Sequence, residues 1–169
     1  MKKPVDSKNP PVEFPGMQTI QFNPALTDDN FTPHGVFMAL VIDVLRVSRE
    51  IFYFVNLLKK QSPADRDSLA ASLDEAGETI KDMFDKLTAG FFPVGNCEKL
   101  DLLSHQLYFQ LEVALGPDHA RALVDKLKQT HRVELLHREF IAGIIDPREL
   151  VLLDEAASHF LTTAKTLWA

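Results

Sequence analysis

Proline and glycine divide this chain more decisively than any other feature. Thr32-Pro33, Ser62-Pro63, Gly116-Pro117 and Asp146-Pro147 each place a capping residue or a glycine directly before proline. Proline lacks an N–H and holds φ near −65°, so it suits the first position of a helix and breaks an interior one. A fifth start falls near Asn96, a good cap, with Glu98 in the first turn, where the helix dipole favours an acid. Gly90 and Gly116 stand where helices should stop.

Between these marks lie five stretches of helical periodicity, at about 33–60, 63–88, 97–115, 118–143 and 147–168. No alternating strand pattern of useful length occurs. The connections are short, so successive helices should lie antiparallel. The expected fold is therefore all-α: an antiparallel up-and-down helical bundle of four to five helices over residues 32–169, preceded by an extended, partly disordered N-terminal arm at 1–31. Prolines 10, 11, 15 and 24 forbid a long helix in the arm. Yet it carries Val12, Phe14, Met17, Ile20, Phe22, Leu26 and Phe31, too many apolar residues for a purely solvated tail. Part of it is expected to lie over the bundle or over a partner subunit.

Placing residues at 100° steps gives each helix a face. Leu69, Leu73, Ala76, Ile80, Phe84 and Leu87 form one stripe, and Leu150, Leu153, Ala157, Phe160, Leu161, Ala164 and Trp168 form another. Leu100, Leu103, Leu107 and Leu111 share a face, flanked by a second apolar strip of Leu102, Phe109 and Val113. The 33–60 helix is apolar over about half its circumference, wider than the roughly 100° a surface helix needs. That width points to packing on two sides, one of them a second subunit or the arm. Phe37, Val41, Phe52 and Val55 are the candidate contacts there, and Asp43, Arg46 and Glu50 are spaced for a salt-bridged ladder on its polar edge. In the loop "GFFPVGN", Phe91 and Phe92 are candidates for a pocket mouth or partner contact.

The segment "HRVELLHREF", residues 131–140, holds the one arrangement that suggests metal chemistry. His131, Glu134 and His137 recur every three residues. "ELLH" matches the Glu-x-x-His element of di-iron bundles, but such sites need two copies, and the chain has one. His34, His105 and His159 are the other histidines such a site could draw on. The competing reading is a buried polar network: His131 and Glu134 continue the apolar line of Ala120, Leu123, Val124 and Leu127, and Glu134 would bond Arg138 one turn on.

A net charge of −6 argues against nucleic-acid binding, which needs a basic face. The greasiest window, 37–58, contains Asp43, Arg46, Arg49 and Glu50, too costly for a membrane span. Cys97 is the single cysteine; it cannot form an intramolecular disulfide and suits a reducing, cytoplasmic setting. No phosphate-cradling loop or nucleophile elbow is present, so the reading leans away from an enzyme and names no catalytic residue. The favoured function is a non-catalytic interaction or regulatory bundle that self-associates as a homodimer, with no cofactor. The alternatives are a transition-metal bundle of the non-haem iron or zinc type using His131, Glu134 and His137, and a sensor of an apolar small molecule.

Overall fold

The computed structural model describes residues 33–128 and 133–169. Among these, every regular element is a helix: α1 (Pro33–Tyr53), α2 (Val55–Leu58), α3 (Pro63–Thr88), α4 (Val94–Leu115), α5 (Pro117–Asp125), α6 (Val133–Ile141) and α7 (Pro147–Trp168). The chain is all-α. None of the helices is long and apolar enough to cross a membrane. The expected arm lies outside the described residues, as does His131.

α3 and α7 begin and end where the sequence places them, because their caps are local. Ser62 Oγ accepts a hydrogen bond from the Asp65 backbone N–H (3.2 Å) and donates one to the Asp65 carboxylate (2.9 Å). Asp146 accepts from the Arg148 N–H (2.8 Å), while the Glu149 carboxyl takes a hydrogen bond from the Asp146 backbone. That reciprocal pair is a capping box spread over Asp-x-x-Glu. α4 starts earlier than expected, at Val94, and Pro93 rather than Asn96 precedes it.

Two expected helices are broken. At Phe54 (φ −89°, ψ 6°) the first helix is interrupted between α1 and α2. The break sets the Phe54 ring edge-on to His119 of α5, with centroids 5.4 Å apart, while Leu58 still reaches the core. The stretch expected as one helix over 118–143 is two short ones. α5 packs on α4 through Ala120, Leu123 and Val124, whereas α6 packs on α1. The segment changes partners midway, and its two halves present different faces.

Contacts fix how the rods run. Gln110 bonds Ser68, Gln106 bonds Ser72 and Lys99 pairs with Glu75, so α3 and α4 are antiparallel. Arg49 pairs with Glu155 (2.7 Å) and Phe52 lies against His159, so α1 and α7 run the same way. α7 packs between α1 and α3, α4 between α3 and α5, and α6 covers α1. The core takes in Leu40, Val44 and Ile51 of α1, Leu73 and Ile80 of α3, Leu107 and Leu111 of α4, and Leu153 and Phe160 of α7.

Most of the wide apolar arc of α1 is covered inside the chain. Phe37 and Val41 are buried in the core, because α7 covers one side of α1 and α6 another. Phe52 and Val55 keep partial exposure near the break. Phe37 and Val41 are therefore not available to a second subunit, contrary to the expectation for them. The ladder on its polar edge is also rearranged: Arg46 lies 3.9 Å from Asp43, but Glu50 turns to Lys126 at 3.7 Å.

Candidate functional site

α6 does not direct Glu134 inward. Its helical register begins afresh at Val133, so the buried positions are Leu136 and Glu139, and Glu134, His137 and Arg138 are exposed. The ion pairs among the described residues do not include the one expected between Glu134 and Arg138. The His137 ring stacks at a tilt on Phe92, with centroids 5.0 Å apart, and Phe92 also meets Phe140 at 5.8 Å. Phe92 therefore plugs the end of the bundle between the α3–α4 loop and α6, while Phe91 points outward. Among the described residues no group of three or more His, Cys, Asp and Glu is placed to hold a metal ion.

The acid that α6 does bury is Glu139. Its carboxylate accepts a hydrogen bond from the Phe37 backbone N–H at 3.0 Å. This sets an acceptor oxygen near the amino end of α1. Glu149 is the second buried acid. Burial, then the neighbouring Asp146 charge, pushes its carboxyl up to about 8. Neither residue was singled out by sequence. Glu149 had a signal, the Asp-x-x-Glu spacing behind Asp146-Pro147; Glu139 had only its place three residues after Leu136.

Between α3 and the start of α4 lies an open cleft of about 520 Å³, lined by Glu78, Thr79, Asp82, Lys86, Gly95, Asn96 and Lys99. Asn96 is its centre. The amide donates to the Thr79 carbonyl (3.1 Å) and the Asp82 carboxylate (2.8 Å), and its oxygen accepts from Lys86 Nζ (2.6 Å). Lys86 also pairs with Asp82 at 2.9 Å. These contacts hold the Asp82 carboxyl below its usual range, the Asn96 bond first and Lys86 second. Two acids and two lysines line the cleft, and each lysine already faces a carboxylate. The group works as a polar bracket joining α3 to α4, and its lining does not suit an apolar ligand. Nearby Cys97 is buried, and desolvation followed by the Glu98 charge pushes its thiol up to about 11. A thiol that resists ionisation is a poor nucleophile.

Among the described residues, α4 carries a set of strongly exposed apolar side chains. Leu102, Phe109 and Val113 are 72%, 67% and 71% exposed. Spacings of seven and four residues put them on one line along the helix. Leu103, Leu107 and Leu111 fill the opposite, inward face, so the strip is surplus to the core. Its edges are polar: His105, Gln106 and Glu112 fall between the apolar residues and Glu98 before them. Searches of protein-family models, of curated proteins and of solved structures find no match to this chain.

Proposed function

We propose that this protein is a non-catalytic helical-bundle interaction protein that associates with a second copy of itself through the outer face of α4. The observation that carries the reading is the line of Leu102, Phe109 and Val113, left in water by a helix whose inward face is already full. Large contiguous apolar exposure rimmed by polar residues is characteristic of a binding surface. A straight strip on one helix is also suited to a two-fold contact, the commonest symmetry of soluble oligomers. Antiparallel packing of two α4 helices would set Leu102 of one copy beside Val113 of the other. Parallel packing would stack Glu98 on Glu98 and Glu112 on Glu112, which costs energy. The cleft supports the non-catalytic part in that Asp82 and Lys86 pair with each other and Lys99 with Glu75 of α3. A buried free thiol at Cys97 is in keeping with a reducing, cytoplasmic setting.

The test is the mass of the native chain and of a Leu102→Glu, Phe109→Glu double variant, by sedimentation equilibrium. The native chain is expected to be dimeric at tens of micromolar and the variant monomeric, with the same helix content, because both positions are exposed. A native chain that stays monomeric at about 100 micromolar sinks the reading.

A further inference from the structure

The outward strip of α4 has two unlike flanks. Placing residues at 100° steps from Leu102 puts Lys99, Gln106 and Gln110 on one side of it and Glu98, Asp101, His105 and Glu112 on the other. The first flank leans on α3: Gln106 bonds Ser72, Gln110 bonds Ser68 and Lys99 pairs with Glu75. The second gathers three carboxylates around a single imidazole. His105 is exposed and makes no ion pair among the described residues. Its Nδ1 lies 2.9 Å from the backbone carbonyl oxygen of Asp101. A carbonyl oxygen can only accept, so Nδ1 carries the proton and Nε2, across the ring, keeps a lone pair. Of the other elements packed on α4, α2 has no charged residue. α5 brings Asp118, His119, Arg121 and Asp125, and none of them pairs with His105.

Self-association through α4 would give that imidazole a partner, and the inference rests on that reading. A two-fold axis that reverses a helix sets each flank against the same flank of the second copy, so the acidic flanks meet. With Leu102 beside Val113 of the second copy, Glu112 of that copy falls level with Leu103. Asp101 and His105 then stand two residues to either side of it, about 3 Å of helical rise each. While the imidazole is neutral, the carboxylate meets Asp101 with no cation between them. A proton on Nε2 puts a cation there. We infer that His105 makes the association through α4 pH-dependent. The dimer holds more protons than two separate chains, so it tightens as pH falls through the range, about 8 to 5, in which histidine takes up charge. The symmetry repeats the pair, so each dimer gains it twice.

Sedimentation equilibrium of the full chain at about pH 8 and about pH 6, at one ionic strength, tests it. The native dissociation constant should fall about three- to thirtyfold from the higher pH to the lower, the size that two exposed ion pairs give. His105→Gln, uncharged at both, should keep its dissociation constant within about twofold, and Glu112→Gln should lose most of the shift. A native dimer that is equally tight at the two pH values, or looser at the lower one, overturns the inference. So does a shift that survives His105→Gln, which would place the proton elsewhere. Each of these results leaves self-association through α4 standing. A native chain that is monomeric at both pH values overturns the two together, so the failure of one is told from the failure of both.

Discussion

Glu139 and Phe37 are 102 residues apart in the chain and joined by one buried hydrogen bond, from the Phe37 backbone N–H to the Glu139 carboxylate at 3.0 Å. The bond ties α6 to the amino end of α1. Removing the carboxylate leaves a buried N–H near a helix terminus. Glu139→Ala should destabilise the fold by about 1–3 kcal/mol, and Glu139→Gln, which keeps an acceptor oxygen, by less. Urea unfolding of both variants checks this. Equal losses for alanine and glutamine would mean that the bond is not what matters at this position.

Why Glu139 was invisible in the sequence, while Ser62 and Asp146 were not, follows from range. The caps at Ser62 and Asp146 are made within three residues, so the pattern of residue types already contains the interaction. The buried faces of α3, α4 and α7 are largely legible too, since each helix keeps one set of neighbours along its length; Trp168, expected on the buried face of α7, is instead 48% exposed, and Leu167 is buried. The stretch 117–141 does not: α5 leans on α4 and α6 on α1, and no local pattern says where the partner changes. A face drawn through the whole stretch takes in Glu134 and passes over Glu139, whereas the two short helices expose the first and bury the second. The width of α1 was legible too, but width alone could not tell α6 from a second subunit.

Asn96 is expected to act as the bracket between α3 and α4 through three hydrogen bonds. Asn96→Ala should cost about 1–3 kcal/mol, because the partners at Thr79, Asp82 and Lys86 lose a well-placed amide. It should also let the Asp82 carboxyl rise toward its ordinary value of 3.8, since the Asn96 bond is the largest influence holding it down. Carboxyl-carbon NMR titration reads this directly. An Asp82 titration that is the same in the variant and the native protein would remove Asn96 from the account.

Close approach of α3 and α7 depends on Gly77. A Cβ built there would fall 2.8 Å from Leu161 Cγ and 3.2 Å from the Ala157 carbonyl oxygen. Alanine in place of a mid-helix glycine ordinarily adds up to about 1 kcal/mol of helix stability. Here the contact with Leu161 and the backbone of α7 should cancel that gain, and Gly77→Leu should cost about 1–3 kcal/mol by forcing the helices apart. Thermal unfolding of the two variants separates these effects. A Gly77→Leu protein as stable as the native one would show that α3 and α7 can repack at no cost.

Glu149 makes the fold's stability depend on pH in a defined window. Burial, with the Asp146 charge beside it, raises the folded carboxyl to about 8 from an ordinary 4.5. Below 4.5 the group is protonated in folded and unfolded chains alike, and the stability linked to it is fully present. Above that value the unfolded chain gives up its proton while the folded chain keeps it, so stability falls as pH rises toward 8 and levels off beyond it, by an amount on the order of a few kcal/mol. Glu149→Gln keeps an acceptor for the capping box at α7 and removes the titration. Its stability should be flatter between pH 4.5 and 8 than that of the native chain, and higher than native at pH 8. Denaturant unfolding at a series of pH values decides it: parallel curves for the two proteins across this window would mean that Glu149 is ionised in the folded state as easily as in the unfolded one.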